Sequence, residues 1–310
     1  AGNLFSNISA AIGNEISTFP DYPAEIRAPQ GTLGGVSGFQ VHIGKGVYTP
    51  GDKADVLVAM NPAALKTNTK YVKPNAVVII DTDSFQKNDL EKAAFLTEDP
   101  FKELNMNSAQ IVPVAITSLV KDSLADSGLD NKTILRCKNM FALGLICWLF
   151  DRPIDQAAHL LKNKFAKKPS VLEANIKVMT DGYNYGNNIH ASVSTYRIET
   201  KPAKKGFYTD VNGNRATALG LIAASEKSGL PLFLGSYPIT PASDILHELA
   251  KRKDLGVKVV QAEDEIAGIC TAIGASFAGN LAATSTSGPG LALKSEAIGL
   301  AVMAELPLVI

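Results

Sequence analysis

The chain of 310 residues is 46% apolar and 19% charged, a composition that excludes general disorder and leaves room for about two domains. Thirty basic residues balance thirty acidic residues, so no overall field favours nucleic acid or an anionic membrane surface. The longest unbroken apolar stretch, "MFALGLICWLF" at 140–150, is shorter than the roughly 20 residues that span a bilayer. We therefore expect no nucleic acid and no membrane among its partners.

The three cysteines stand far apart, at Cys137, Cys147 and Cys270, which favours a reducing cytoplasm over an oxidising compartment. Three separated thiols cannot supply the four ligands of an iron–sulfur cluster or a structural zinc ion. The four histidines are also scattered along the chain. Any metal or cluster chemistry is therefore expected to come from another chain.

In chain order, the first half shows apolar runs of strand length at 55–60, 76–81 and 108–116, and a core helix at 139–150. Strands that alternate with helices predict a parallel α/β layer. The alternation ends over 197–214, where Lys, Gly, Pro and Asn predominate, as is typical of a seam between domains.

A second α/β unit is predicted after this seam. Asn214 is expected to cap a helix that runs to Ser228 and ends at Gly229, and Thr240 and Pro241 are expected to cap and begin the next helix. Further strands are predicted at 230–235, 257–262 and 281–287, helices at 241–253, 263–279 and 291–305, and the start of a fourth strand at 306–310. Because both ends of the chain are abrupt, we expect a segment of a longer polypeptide.

Polar loops follow three strands of this second unit: "SYPIT" at 236–240, "AEDE" at 262–265 and "TSTSGPG" at 284–290. Ligands of open parallel sheets bind beyond the carboxyl ends of the strands. Each loop also has a structural explanation, as a connector stiffened by prolines, as acids at a helix N-terminus, or as a plain turn. Three such loops on one sheet predict a ligand site.

Three acids lie at the start of the helix predicted after the second strand. Their positions relative to the apolar stripe of that helix distinguish only one of them. Glu265 heads a face of small residues where a backbone or a ligand could come close, whereas Asp264 points away from the apolar stripe. Glu263 also borders that stripe, so the period leaves Glu263 and Glu265 as alternatives. The predicted stripe consists of Ile266, Ile269, Cys270, Ile273 and Phe277.

Four stretches of the second half resemble the α subunit of the 2-oxoacid:ferredoxin oxidoreductases: "GSYPITPASDILHEL", "EDEIAGICTAIGASFAG", "TSTSGPGLALKSE" and "GLAVMAELPLVI". In the first half, "FPDYPAEIRAPQGTLGGVSGFQVHIG" and "KNMFALGLICWLFDRP" resemble the γ domain that precedes α in the two-subunit members. The resemblance implies two parallel-sheet α/β domains, a γ-type domain at 1–197 and a pyrimidine-binding thiamine-diphosphate domain at 207–310. It also implies a strand with a glycine-rich turn before Ala1, and a substrate-binding arginine motif after Ile310.

The same resemblance implies the oxidative decarboxylation of a 2-oxoacid, with coenzyme A as acyl acceptor and ferredoxin as electron acceptor. Thiamine diphosphate would be shared with a β subunit, and that partner would hold the magnesium ion and a [4Fe–4S] cluster. The fused γ–α order most resembles the 2-oxoglutarate enzymes, while pyruvate and branched-chain 2-oxoacids are alternatives.

The resemblance also implies roles for residues at the strand ends. Thr240 would contact the cofactor or the substrate. Glu265 would hydrogen-bond the pyrimidine ring of thiamine and so help the thiazolium carbon to lose its proton. The residues expected to line the cofactor are Tyr237, Pro238, Ile239, Ser287, Gly288 and Pro289. Lys294 could add a contact, although a surface position is more usual for a lysine.

Two rival functions use the same sequence differently. A catalytically silent interaction subunit would keep the α/β shell but would need no acid at Glu265. A pair of nucleotide-binding domains would need a glycine-rich phosphate loop after a strand. The nearest candidate, "GTLGG" at 31–35, follows no convincing strand.

Overall fold

A computed structural model of the chain describes residues 1–21, 36–46, 49–51, 53–189, 195–199 and 211–310. The chain divides into two compact units, Ala1–Gly206 and Phe207–Ile310, here called unit 1 and unit 2. Most of the predicted seam and the whole "GTLGG" stretch lie outside the described residues. Among the helices that are described, none is long and apolar enough to cross a membrane.

The described part of unit 1 contains a two-stranded sheet, a three-stranded sheet and several helices. Its strands are β1 Ile16–Asp21, β2 Gly38–Ile43, β3 Ala54–Ala59, β4 Val72–Asp81 and β5 Gln110–Val114. Its helices are α1 Gly2–Ala11, α2 Pro62–Asn68, α3 Lys87–Lys92, α4 Pro100–Glu103, α5 Ile116–Ser123, α6 Asn131–Arg136, α7 Lys138–Leu149, α8 Ile154–Phe165 and α9 Pro169–Asn188.

The three-stranded sheet of unit 1 is parallel, in the order β3–β4–β5. Its central strand, β4, is buried without interruption from residue 76 to 81, because helices and loops cover both faces of the sheet. Val77 and Ile79 pack into one hydrophobic cluster, and Val78 and Ile80 pack into another on the opposite face. The predicted parallel α/β layer is confirmed for this sheet.

An antiparallel pair, β1 and β2, was not predicted from the sequence. Ile16 lies opposite Ile43, and Asp21 lies opposite Gly38. The two strands are half-buried and separated by a long stretch of chain, so neither a continuous apolar run nor a short-turn signal marks them.

Helix α7 is the predicted core helix, and its burial on nearly all sides confirms that prediction. It packs against α9 so closely that two glycines are required. A Cβ atom at Gly144 would collide with the backbone carbonyl of Met179, and one at Gly182 would collide with that of Phe141. Unit 1 therefore has a dense helical core beside its parallel sheet.

Unit 2 has a three-stranded parallel sheet in the order β7–β6–β8. Its strands are β6 Leu232–Ser236, β7 Lys258–Gln261 and β8 Leu281–Ala283. Its helices are α10 Gly213–Ser228, α11 Ser243–Ala250, α12 Glu265–Phe277, α13 Gly290–Leu293 and α14 Ser295–Met303. The prediction of a second parallel α/β unit is thereby confirmed.

The capping predictions for unit 2 were partly wrong. Asn212, and not Asn214, caps α10, because its side chain accepts a hydrogen bond of 2.9 Å from the Arg215 amide. The Asn214 side chain instead donates to the Pro241 carbonyl at 2.9 Å. Gly229 ends the helix as predicted, with a φ of 72°.

The helix after the proline-rich loop begins later than predicted. Thr240 and Pro241 are joined by a cis peptide bond and precede α11, whose first residue is Ser243. The Ser243 hydroxyl accepts a hydrogen bond from the Ile239 amide at 2.8 Å, and the Ser243 amide donates to the Ile239 carbonyl at 2.8 Å. These two bonds close a turn, so the predicted cap at Thr240 is wrong.

Two elements near the C-terminus also differ from the prediction. The single helix predicted at 291–305 divides into α13 and α14, with Lys294 between them. The predicted strand at 306–310 is reduced to one parallel bridge between Val309 and Ala283.

Candidate active site

The sheet of unit 2 brings the three predicted loops to one edge. In β6, Ser236 lies opposite Gln261 of β7, and Leu234 lies opposite Ala283 of β8. Because all three strands run in the same direction, their carboxyl ends meet at that edge. There the hydroxyls of Ser236 and Ser285 share a buried hydrogen bond of 2.7 Å. The loops after β6 and β8 are therefore neighbours.

Helix α12 lies directly against β6 because a glycine faces it. A Cβ atom at Gly235 would lie 2.5 Å from the Gly268 carbonyl oxygen and 3.0 Å from the Ala272 amide nitrogen. Any larger residue at this position would push the helix away. The close contact places the first turn of α12 beside the loop that follows β6.

The face that α12 buries differs from the predicted apolar stripe. Ile269 and Ile273 are buried as predicted, but Ile266, Cys270 and Phe277 are exposed. Tight packing against a sheet favours small side chains, and these replace the exposed members of the stripe. The buried small residues are Gly268, Ala272, Ala275 and Ser276.

The three acids at the start of α12 have different surroundings. Glu263 is exposed, and Asp264 is the exposed N-cap, whose carboxylate accepts a hydrogen bond of 2.8 Å from the Ala267 amide. Glu265 is half-buried and is the first residue of the helix. The structure thus distinguishes Glu265 from Glu263, which the helical period could not do.

Tyr237 lies at the centre of the three loops and is only 4% exposed. Its hydroxyl shares a hydrogen bond of 2.8 Å with the Thr286 hydroxyl in the loop after β8. Burial raises the pKa of the Tyr237 phenol; the bond to Thr286 opposes this rise, and the nearby Glu265 carboxylate adds to it. Tyr237 therefore stays a neutral phenol beside Glu265.

Gly290 completes the contact between the loops. A Cβ atom at Gly290 would lie 2.6 Å from the Tyr237 hydroxyl and 3.2 Å from Cγ of Glu265, and it would also collide with Thr286. Tyr237, Glu265, Thr286 and Gly290 therefore meet at one point. We call these four residues the strand-end cluster.

The Glu265 carboxylate has no cation within ion-pair distance among the residues that the structure describes. It lies at a helix N-terminus, where the helix dipole favours negative charge. A half-buried carboxyl group in this position can form a hydrogen bond with a ligand.

Lys294 contradicts the expectation of a surface lysine. Its side chain is 0% exposed. Its ammonium group donates a hydrogen bond of 2.8 Å to the Thr284 hydroxyl and lies 5.3 Å from the centroid of the Tyr237 ring. Since long charged side chains are almost never fully buried, neither its burial nor its position under Tyr237 could be read from the sequence.

The remaining predicted site residues surround the strand-end cluster without belonging to it. Ile239 and Ser287 are half-buried, whereas four others are exposed: Pro238, Thr240, Gly288 and Pro289. Sequence reasoning did not single out Thr286 or Gly290, although both lie in a loop that it marked. Small and hydroxyl residues occur in many turns, so their type alone gave no signal.

Two clefts of unit 1, of about 630 and 430 Å³, share Asp151 and Arg197 in their linings. Neither contains a predicted site residue. Throughout the described ranges, no group of three or more His, Cys, Asp or Glu side chains could hold a metal ion.

Two family models match the chain. One, pyruvate ferredoxin/flavodoxin oxidoreductase, matches residues 1–185. The other, the thiamine-diphosphate-binding domain of pyruvate flavodoxin/ferredoxin oxidoreductase, matches residues 225–310 and includes the strand-end cluster.

Individual relatives agree with these models. The 2-oxoglutarate oxidoreductase subunit KorA of Mycobacterium tuberculosis is 47% identical over 310 residues, which are 100% of this chain and 47% of that protein. The ketoisovalerate oxidoreductase subunit VorB of Methanothermobacter marburgensis is 48% identical over 101 residues, which are 32% of this chain and 27% of that protein.

A solved structure shares the fold. The 2-oxoglutarate:ferredoxin oxidoreductase from Magnetococcus marinus, with 2-oxoglutarate, coenzyme A and succinyl-CoA bound, matches with a TM-score of 0.71 and 30% identity. The match covers 99% of this chain and 48% of that chain. This chain thus spans about half the length of the relatives that it matches from end to end.

Proposed function

This chain belongs to the pyruvate ferredoxin/flavodoxin oxidoreductase family, and we propose that it forms the γ–α part of a 2-oxoglutarate:ferredoxin oxidoreductase. Residues 1–197 would be the γ-type domain, and residues 207–310 would be the pyrimidine-binding domain for thiamine diphosphate. The two family models, which match 1–185 and 225–310, support this division.

The main observation behind the proposal is the Glu265 carboxyl group. It is half-buried in the first turn of α12, beside Tyr237 and Gly290, and no described cation lies within ion-pair distance. A carboxyl group in such surroundings can share a proton with a ring nitrogen of a ligand. The pyrimidine ring of thiamine carries such a nitrogen, so the residues present fit this cofactor.

Thiamine diphosphate, when bound, supplies the nucleophilic carbon and the electron sink that the decarboxylation of a 2-oxoacid requires. Glu265 would hold a proton at the pyrimidine nitrogen, and Tyr237, fixed by Thr286, would keep the carboxyl group oriented. The loops that contain Pro238, Ile239 and residues 287–289 would line the ring. Thr240, which is exposed, would meet the cofactor or the substrate.

The proposed reaction converts 2-oxoglutarate and coenzyme A into succinyl-CoA and carbon dioxide, with two electrons passed to ferredoxin. A β subunit would contribute the diphosphate-binding half of the site, the magnesium ion and a [4Fe–4S] cluster. The 47% identity to the 2-oxoglutarate subunit over the whole chain supports this substrate. The 48% identity to a ketoisovalerate subunit over 101 residues makes a branched-chain 2-oxoacid the second candidate.

The test is Glu265→Gln in the complete complex, assayed by ferredoxin reduction with 2-oxoglutarate and coenzyme A. Turnover should fall about 10²- to 10⁴-fold, because the amide cannot replace a proton-transferring carboxyl group. Binding of thiamine diphosphate, measured by equilibrium dialysis, should change much less, since glutamine keeps the size and one hydrogen bond. Deuterium exchange at the thiazolium carbon should slow with turnover.

The neighbouring acids provide matched controls. Asp264→Asn keeps an N-cap, and Glu263→Gln changes an exposed residue, so both should stay near wild type. Slow exchange in Glu263→Gln with fast exchange in Glu265→Gln would move the assignment by two residues. If neither variant slows exchange, the assignment to thiamine chemistry is wrong.

A further inference from the structure

Lys294 is a fully buried lysine with few partners. Its side chain is 0% exposed, and only one hydrogen bond, to the Thr284 hydroxyl at 2.8 Å, is formed by its ammonium group with the described residues. An ammonium group has three N–H donors, and burying a charge without an ion pair is costly. No described carboxylate lies within ion-pair distance of it. Because burial of an ammonium group with so few partners is costly to the fold, we looked for a function of Lys294 in the neighbouring site.

The position of the ammonium group points to that role. It lies 5.3 Å from the centroid of the Tyr237 ring, close enough for a cation–π interaction, and such interactions are strongest where water is excluded. The hydroxyl at the other end of Tyr237 bonds Thr286 and faces Glu265. Tyr237 thus connects the charge of Lys294 to the strand-end cluster.

We propose that Lys294 is a positioning residue of this site. Its ammonium group holds the Tyr237 ring in place by a cation–π contact and puts a fixed positive charge near the Glu265 carboxylate. The proposal rests on the proposed function of Glu265 and adds a residue to it. Because Lys294 is fully buried, it acts through Tyr237 and Glu265 and does not touch a ligand itself.

The charges around Lys294 predict how the site depends on pH. Burial lowers the pKa of the Lys294 ammonium group, while Glu265, Asp264 and Cys270 of α12 oppose that effect. The Tyr237 phenol, whose pKa is raised by burial, also faces the ammonium group. Lys294 should therefore lose its proton at a lower pH than an ordinary lysine. As the pH rises through that point, the site should lose the positive charge of Lys294 and the cation–π contact with Tyr237.

The experiment compares Lys294→Met with Lys227→Met in the complete complex. Methionine keeps much of the length of lysine without its charge, and Lys227 is an exposed helical lysine of the same unit. Lys294→Met should lower kcat about 10- to 100-fold, as expected for the loss of a desolvated cation–π contact, with the KM for the 2-oxoacid unchanged. Lys227→Met should behave as wild type.

Two further measurements separate positioning from folding. Wild-type activity should decline at alkaline pH toward the level of Lys294→Met, whose rate should stay flat over the same range. In the cofactor-free chain, the unfolded state binds the proton of Lys294 more tightly than the folded state. Wild type should therefore gain stability relative to Lys294→Met as the pH rises through this window, measured by urea unfolding.

Thr284→Val tests the same contact from the other side. It removes the acceptor of the Lys294 hydrogen bond and keeps the charge, so its effect should be smaller and should vanish in the Lys294→Met background. If Lys294→Met matches Lys227→Met in rate and pH profile while Glu265→Gln is inactive, the role of Lys294 is refuted and the proposed function stands. If Glu265→Gln is also fully active, the proposed function itself fails.

Discussion

Asp81 of unit 1 and Glu265 of unit 2 are both carboxylates at the carboxyl-terminal edge of a parallel sheet, and they differ in their partners. Asp81 ends the central strand β4 and is 0% exposed. Its oxygens accept hydrogen bonds from Ser84, from the amide and hydroxyl of Thr117, and from Lys138. Glu265 is half-buried and has no ion pair in the described part of the chain.

Two lysines that interact with these acids, Lys138 with Asp81 and Lys294 with Glu265, differ in the same way. Lys138 forms an ion pair of 3.2 Å with Asp81 and keeps 25% of its side chain exposed. Lys294 is fully buried and has no such pair among the described residues. A buried charge stabilises a fold only when its partners are complete. The network of Asp81 is therefore complete within the protein, whereas Glu265, in the function that we propose, meets a ligand.

Substitution of Asp81 should cause the greatest loss of stability. Asp81→Ala removes the acceptor of four donor groups at once and should lower the free energy of unfolding by about 3–5 kcal/mol. Trp148, the single tryptophan, lies in the core of unit 1, so urea unfolding followed by its fluorescence reports on that unit.

A surface ion pair provides the control for Asp81. Asp55 and Lys73 lie 2.6 Å apart with about half of each side chain exposed, so Asp55→Ala should cost no more than about 1 kcal/mol. Equal losses in Asp81→Ala and Asp55→Ala would show that the buried network contributes no more than an exposed pair, and the contrast with Glu265 would disappear.

Substitution of Gly290, in the strand-end cluster, should have a smaller effect. The added methyl group of Gly290→Ala cannot fit beside Tyr237, Thr286 and Glu265. We expect a loss of about 1–3 kcal/mol in the stability of unit 2 from overpacking, together with lower turnover as Tyr237 leaves its bond to Thr286. Hydrogen exchange of the β6 amides would measure the stability.

Gly299 is the matched control for this change. It lies in α14, where an added Cβ meets nothing within 4 Å. Gly299→Ala should stabilise the helix by about 0.5–1 kcal/mol, since alanine is the better helix former. If Gly290→Ala is as well tolerated as Gly299→Ala in stability and turnover, the strand-end cluster is not closely packed.

The smallest effect concerns Asp264, the acid next to Glu265. Asp264→Ala removes an N-cap and should cost about 0.5–2 kcal/mol of stability while leaving the chemistry intact. Asp264→Asn should restore the cap to within a few tenths of a kcal/mol. Turnover measured beside thermal unfolding would show whether stability and activity separate. A loss of activity in Asp264→Asn at unchanged stability would contradict the structural role.

Much of the fold could be predicted because it follows local rules. The apolar run at 76–81 indicated a strand of a parallel α/β layer, and the residue that ends α10 was correctly assigned to Gly229. The antiparallel pair of β1 and β2 escaped prediction because its partners are distant in sequence. The cap at Asn212 was missed because an equally suitable residue, Asn214, lies two positions away. The start of α11 at Ser243 was missed because Thr240, three positions earlier, is also a suitable cap residue.

The candidate site was predicted in its location but not in its contacts. Parallel topology places the loops after β6 and β8 and the start of α12 at one edge, and this follows from chain order alone. The distinction between Glu263 and Glu265 depends on a tertiary contact, because Glu265 lies beside Gly290, whereas Glu263 is exposed. Periodicity describes one helix and contains no information about that contact.

The parallel α/β class, the two units, the edge at which the three loops meet and the family resemblance could all be predicted, because each depends on chain order or local pattern. Three features of the site could not be predicted: Glu265 is half-buried without an ion pair to any described residue, Tyr237 bonds Thr286, and Lys294 is buried against the Tyr237 ring. Burial and electrostatic neighbours arise from residues far apart in the chain. For that reason, a lysine that local composition assigns to the surface lies at 0% exposure under the candidate site.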